Sequence, residues 1–304
     1  MRLEHIKGKT YTLNNKGITS CFYNIENNKY LLIDPGHLND KNYKEYIEFL
    51  KKEDIIPKYI ICTHGHVDHA NSVVYLKNEF GSKIIMPEYE AYFFDDPKFY
   101  IHKVIRAKNI GYEKIYPKKK LKVDLVVKKE EEIIIENEKF RVERLPGHSY
   151  NHCGFSTPDK VMYLGDSLLS EDVIKKTKIP YIFDIDIDLK TKRKILTFNY
   201  NHYVVSHKGI INNKEKVVNK NIDFINSFFI KITNYLKKPM TYEEITSRIN
   251  KELNIGESVL KFLIAERSIK SFIYYLEKYS YIDSCTKNHK IYYKKLRDFE
   301  KLVS

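Results

Sequence analysis

Short apolar runs separated by polar turns recur through the first two-thirds of the chain, as in an α/β domain where brief buried strands alternate with helices. The runs that read as strands are Tyr30–Ile33, Tyr59–Cys62, Lys83–Met86, Glu132–Ile135, Phe140–Glu143, Val161–Leu164 and Tyr203–Val205. The polar residues Glu136–Lys139 join two of these runs as a hairpin turn would. Helices are expected over Asn42–Lys51 and Ala70–Phe80; in the second, Val73, Leu76 and Phe80 share a face and Gly81 is a natural stop. The stretch Glu88–Lys120 is aromatic, basic and irregular, and reads as an insertion over a site or a surface excursion.

After about residue 210 strand signals fade and helical periodicity dominates from Val217 to Leu236. Thr241 followed by Glu244 fits a capping box for a helix reaching Leu253. Asn254-Ile255-Gly256 is a turn, a longer helix runs on to about Lys278, and Tyr279–Asp283 with Lys290–Tyr293 reads as a hairpin. That order is the order of a winged helix-turn-helix. The expected division is therefore 1–210 for an α/β domain and 211–304 for a small, mainly helical, winged-helix-like domain. Apolar residues at helical spacing in Ser268–Leu276 read as core.

With 304 residues, 42% hydrophobic and 31% charged, the chain can build a substantial core, which argues against disorder. Tyr (25) and Phe (16) carry the aromatic burial in the absence of Trp. The net charge of +13 would attract acidic ligands, although the abundance of Lys, Asn and Ile makes general solubility the simpler account. Met1–His5 has no signal-like apolar segment, and no apolar run approaches the roughly 20 residues of a membrane span. Cys21, Cys62, Cys153 and Cys285 form no C-x-x-C pair and read as buried thiols in a reducing cytosol. A soluble cytoplasmic protein is the expectation.

The sharpest chemical signal is Thr63-His64-Gly65-His66-Val67-Asp68-His69. Imidazole and carboxylate donors in compact sets suit zinc. His64 and His66, two apart on a turn, can aim at one ion, while Asp68 and His69 at the start of the following helix can reach a neighbouring one. Further donors stand in register with this motif. Asp34, His64, His148, Asp166 and His207 each end or closely follow an apolar run, in LLID, YIICTH, RVERLPGH, MYLGD and YVVSH. Loops at strand ends are where an α/β scaffold gathers a site.

The succession LLIDPG, THGHVDH, LPGHS, YLGDSLL, SHKG resembles the metallo-β-lactamase superfamily over about residues 10–210. Within that superfamily it is similar to the hydroxyacylglutathione hydrolases (glyoxalase II) rather than the secreted lactamases. The resemblance implies an αββα sandwich with a dinuclear metal site at one edge, holding two zinc ions per chain, with iron or manganese as alternatives. It assigns His64, His66 and His148 to the first metal, Asp68, His69 and His207 to the second, and Asp166 to a bridge between them. Asp34 would orient the ligand loop, and His152 would support the site or face the substrate. Asp68 would orient the attacking water and shuttle its proton, while Ser167 reads as a loop hydrogen-bonder. One departure stands out. The last motif is Ser206-His207-Lys208-Gly209 where relatives commonly have Gly-His-Gly, which adds a cation near the site and bears on substrate class.

The favoured reading is a hydrolase acting on a small-molecule thioester, ester, lactone or similar bond. Its partner would be that substrate, with no membrane and with a homodimer compatible. One alternative is an endoribonuclease that holds RNA with basic C-terminal residues such as Lys270, Lys278, Lys287, Lys290, Lys294 and Lys295, as lactamase-like endoribonucleases with a similar appendage do. The chain lacks the long insertion of the large RNA-processing members, so nucleic acid is the less favoured partner. Two further alternatives are a mononuclear-iron persulfide dioxygenase needing only His64, His148 and Asp166, and a DNA-binding regulator whose first domain senses a ligand.

Overall fold

Much of the first sheet comes from sequence with a weak apolar signal. In the computed structural model, which describes residues 1–37, 42–96, 121–256 and 258–303, β1 (Leu3–Lys7), β2 (Thr10–Asn15) and β3 (Ile18–Glu26) run antiparallel. β4 (Lys29–Ile33) pairs with β3, and β5 (Ile56–Ile61), β6 (Lys83–Pro87) and β7 (Leu125–Val127) follow in parallel, giving the sheet order β1-β2-β3-β4-β5-β6-β7. None of β1–β3 stands out in the hydrophobic pattern, because Thr10, Thr12, Thr19 and Ser20 fill buried positions. Some of these hydroxyls are satisfied internally: Thr10 Oγ1 donates to Asp159 at 2.7 Å and Ser20 Oγ to the Asp34 carbonyl at 2.7 Å.

The second sheet is ordered β13-β12-β11-β10-β9-β8. Its strands are β8 (Glu132–Ile135), β9 (Glu138–Arg144), β10 (Cys153–Ser156), β11 (Val161–Tyr163), β12 (His202–Val205) and β13 (Gly209–Ile211). The turn joining β8 to β9 is the expected hairpin. Glu136 and Asn137 both take positive φ (48° and 66°), as a two-residue primed turn requires. Cys21, Tyr23, Leu31, Ile61 and Ile85 from the first sheet share one buried cluster with Phe140, Val142, Phe155, Tyr163 and Val204 from the second. On the alternate residues of the first sheet, Phe22, Leu32, Ile60, Ile84 and Met86 pack against helices. These are α1 (Tyr43–Lys52), α3 (Val73–Phe80) and α4 (Glu88–Asp95).

Two local expectations are refined. The single helix expected over Ala70–Phe80 is two: a short α2 (Val67–Ala70) carries Asp68 and His69, and α3 resumes at Val73 after Asn71-Ser72. Gly81 ends α3 at φ 67° as expected. The start of the presumed irregular insertion is α4, while residues 97–120 of it lie outside the described residues.

Two compact units make up the chain. The first, which holds both sheets, comprises Met1–Pro146, Tyr150–Ser170 and Phe198–Lys214; the second comprises Gly147–Ser149, Glu171–Thr197 and Glu215–Ser304. In the second unit, α5 (Glu171–Ile174) and α6 (Ile185–Leu196) precede α7 (Lys214–Tyr235). The sequence of α6 hides its helix: Ile185-Asp186-Ile187-Asp188-Leu189 alternates like a strand, but Asp184 caps the helix by accepting from Ile187 N–H at 3.0 Å.

β14 (Met240–Thr241), α8 (Tyr242–Glu252), α9 (Val259–Lys278), β15 (Ile282–Lys287) and β16 (Lys290–Lys295) complete this unit, with sheet order β14-β16-β15. The capping box at α8 forms as read: Thr241 Oγ1 accepts from Glu244 N–H, and Glu244 Oε2 accepts from Thr241 N–H at 2.8 Å. Ile269, Phe272, Ile273 and Leu276 of α9 are buried, and Phe272 packs on Phe228 and Phe229 of α7. Among the described residues no helix is long and apolar enough to cross a membrane. Of the four cysteines, Cys21, Cys62 and Cys153 are buried, whereas Cys285 is exposed. The expectation of four buried thiols is corrected there, because β15 leaves that position facing water.

Candidate metal centre

Parallel pairing places several donor loops at neighbouring strand ends. Asp34 follows β4 and the His64–His69 segment follows β5; Asp166 follows β11 and His207 follows β12, and these two pairs are parallel. The sheets are tied at this edge by a bridge between Ile18 and His207 and by Thr19 N–H donating to the Ser206 carbonyl at 2.6 Å.

Asp34 organises the first donor loop. It is fully buried, holds a left-handed φ of 49°, and takes three hydrogen bonds on its carboxylate. Oδ1 accepts from Thr63 N–H at 2.7 Å, and Oδ2 accepts from Thr63 Oγ1 at 2.7 Å and from His69 Nδ1 at 3.1 Å. The Thr63 hydroxyl proton is thereby committed to Asp34, so the 2.9 Å contact between Thr63 Oγ1 and His64 Nδ1 has the imidazole as donor. With a metal bound, His64 and His69 would both keep their proton on Nδ1 and present Nε2 as the donor atom.

Four side chains converge beside this loop. His69 Nε2 lies 3.3 Å from an oxygen of Asp68 and 3.3 Å from one of Asp166. His207 Nε2 lies 3.4 Å from Asp166 and 3.8 Å from Asp68. Burial opposes charge on His69, but the adjacent Asp166 and Asp68 hold its imidazolium well above the ordinary range. For His207 burial is again overcome, by the hydrogen bond and charge of Asp166, and its pKa is raised. Burial alone would raise Asp68; the charge of His69 reverses this and holds the carboxyl well below the usual range. Two carboxylates this close demand positive charge between them.

The nitrogen donors of His64, His66 and His148 lie within 4.8 Å of one another, as do donor atoms of Asp68, His69, Asp166 and His207. A third such group, Asp34 with His64 and His69, is accounted for by the hydrogen bonds on Asp34. His148 stands on a three-residue turn flanked by Pro146 and Tyr150 of the first unit, and its Nδ1 donates to the Tyr181 carbonyl at 3.2 Å. Gly147 in this turn has φ 129°, and a Cβ there would meet the Asp188 backbone at 2.4 Å. Sets of imidazoles and carboxylates in which the outer nitrogens of His64, His69 and His148 are already bonded fit a divalent cation such as zinc, and equally iron or manganese.

His152 is fully buried, and its Nε2 accepts from Asp166 N–H at 3.1 Å. It therefore touches the loop of Asp166. Ser167 Oγ donates to the Leu164 carbonyl at 2.7 Å, in keeping with its reading as a loop hydrogen-bonder. Lys208 is exposed and takes φ 65°, a conformation that glycine adopts more readily. Glu90 escaped the sequence reading. It is fully buried on α4 and accepts from the main-chain amides of Gly65 and Asn151. Nothing in its surroundings, Glu88-Tyr89-Glu90-Ala91, separates it from a solvated acid.

Comparison with known proteins agrees with this arrangement. Residues 15–207, more than half of the chain, match the metallo-beta-lactamase superfamily. A hydroxyacylglutathione hydrolase of Blochmanniella pennsylvanica is 25% identical over 213 residues, covering 65% of this chain and 71% of that protein. Hydroxyacylglutathione hydrolase 1 of Vibrio vulnificus is 28% identical over 147 residues, covering 48% of this chain and less than half (46%) of its own length. The crystal structure of a metallo-beta-lactamase family protein from Thermus thermophilus superposes with a TM-score of 0.74 at 15% identity, covering 94% of this chain and 99% of that one. By sequence match, fold and a His/Asp cluster suited to metal, the chain belongs to the metallo-beta-lactamase superfamily and is a hydrolase of that fold.

Proposed function

We propose that this chain hydrolyses a thioester, ester, lactone or similar bond in a small molecule, with two zinc ions at the site. His64, His66 and His148 would hold one ion, Asp68, His69 and His207 the other, and Asp166 would bridge them. The observation that carries this reading is the presence of two donor groups, His64 with His66 and His148, and Asp68 with His69, Asp166 and His207, with the rings of His64 and His69 4.4 Å apart. The hydroxyacylglutathione hydrolase relatives favour the thioester class. Residues 1–210 would carry the chemistry and residues 211–304 a winged-helix-like support.

Such ions would supply a water of lowered pKa, about 7, and polarisation of the scissile carbonyl. The protein's own part is to place the groups around that water. Asp34 and Thr63 fix the tautomers of His69 and His64. His152 holds the amide of Asp166 and so its loop. Asp68, beside His69 and His207, orients the attacking water and carries its proton toward the leaving group. Lys208 adds positive charge for an anionic substrate.

The test is metal analysis of the purified chain, with hydrolysis measured on thioester, lactone, phosphodiester and β-lactam substrates and on single-stranded RNA. Two zinc ions per chain and thioester or lactone turnover are expected. One iron per chain with oxygen consumption, or metal-dependent RNA cleavage without small-molecule turnover, would overturn the proposal.

A further inference from the structure

We infer that Glu90 is a positioning residue for the first histidine set, clamping together the two loops that carry it. The inference rests on the metal reading above. Glu90 Oε2 accepts from Gly65 N–H, between His64 and His66, at 2.9 Å. Its Oε1 accepts from Asn151 N–H, between His148 and His152, at 3.2 Å. A glutamate is almost never fully buried unless paired, because withdrawing its charge from water is costly. Here the side chain is 0% exposed, and both of its carboxyl oxygens accept from main-chain amides.

Each tied amide belongs to a segment that has other anchors. Arg144 Nη2 donates to Asn151 Oδ1 at 2.8 Å, Leu145 N–H to the His152 carbonyl at 2.9 Å, and Cys153 N–H to the Thr63 carbonyl at 3.0 Å. The bond through Cys153 joins the loops at their bases, next to the strands. Glu90 joins them at the amides between the donors, where spacing decides whether three imidazoles can meet one ion. Zinc–nitrogen bonds are about 2.0–2.1 Å long, so a site tolerates displacements of only about 0.5 Å.

Both oxygens of Glu90 act as acceptors, which sets the test. Glutamine matches the shape but turns an NH₂ toward one of the two amides, so one tie is lost. Full-length Glu90→Gln would be compared with wild type by zinc titration against a competing chelator, alone and combined with His66→Ala. The circular dichroism and melting of each metal-free protein would serve as the folding control.

Affinity at one of the two sites should fall about 10–100-fold in Glu90→Gln, the range seen when an outer hydrogen-bond partner of a ligand is removed. In the His66→Ala background, where only the Asp68, His69 and His207 set is intact, adding Glu90→Gln should change the remaining affinity less than twofold. Wild-type affinity at both sites, or an equal loss that persists in the His66→Ala background, overturns the clamp in favour of a general structural role. A wild-type chain that takes up no zinc sinks the metal reading itself. Should Glu90→Gln fail to fold, Glu90→Asp, which keeps the charge but falls one methylene short, carries the same comparison.

Discussion

Asp34→Asn is the most informative single change because its effect follows from proton positions rather than size. The carboxylate receives three donors: Thr63 N–H, Thr63 Oγ1 and His69 Nδ1. Asparagine keeps one oxygen for the Thr63 amide, but its NH₂ then faces the hydroxyl and the imidazole. His69 can relieve the clash only by giving up its Nδ1 proton, which leaves the ring protonated on Nε2 alone, the atom facing Asp68 and Asp166. A hydrogen bond to a charged group contributes about 1.5–3 kcal/mol, and two of the three are disrupted, so the metal-free protein should lose about 3 kcal/mol or more in urea unfolding. Zinc affinity at the His69 set should fall at least tenfold. Thr63→Val is the companion change: it removes the His64 acceptor while sparing the His69–Asp34 bond, so its larger loss should appear at the His64 set. The tautomer argument is refuted if Asp34→Asn retains wild-type stability and zinc affinity, or if both variants weaken the same site equally.

Asp166→Ala should abolish hydrolysis and reduce occupancy at both sites, as metal analysis after dialysis will show; a variant that keeps two ions and full rate would mean the bridge is misassigned. In the metal-free protein the raised pKa values of His69 and His207 supply stability that is fully present below the unfolded value near 6.5 and is lost as pH rises through the folded values. The depressed pKa of Asp68 supplies stability present above about 3.9 and lost at lower pH. Urea melts should therefore show most support from this cluster between about pH 4 and 6.5, and zinc uptake should release protons, measurable by calorimetry in buffers of different ionisation enthalpy. Thr241→Ala removes the acceptor at the α8 cap and should cost about 1 kcal/mol in denaturant unfolding, with zinc content unchanged.

The candidate donors that lie together in the structure were legible in the sequence because His64, His148, Asp166 and His207 each end or closely follow an apolar run, and because His66, Asp68 and His69 stand beside His64 in one short motif. The hairpin at Glu136-Asn137, the stop at Gly81 and the capping box at Thr241 were legible for the same kind of reason, each being set by local backbone chemistry. What stayed hidden depends on partners distant in sequence. β1–β3 bury threonines that are satisfied across the sheets, as Thr10 is by Asp159. The helix over Ile185–Leu196 has no helical period at its start, where Ile185–Leu189 alternates, and the cap at Asp184 is visible only in three dimensions. Glu90 looked like one more surface acid until Gly65 and Asn151 were seen to point at it.

The bridge between Ile18 and His207 also bears on the order of events during folding. The chain can offer an ion His64 and His66 from one short turn, but His207 takes its place only once β3, early in the sequence, has met the segment after β12. An unfolded chain therefore gathers only a fragment of the donor set, and a cation has little affinity for it. Ligands that bind the native state alone stabilise it in proportion to the logarithm of their concentration. Contacts absent from the transition state act on the unfolding rate and leave the folding rate largely unchanged. Metal at this edge would thus work as a lock that closes late: it would not hasten assembly, but it would lengthen the lifetime of the assembled protein against proteolysis and heat.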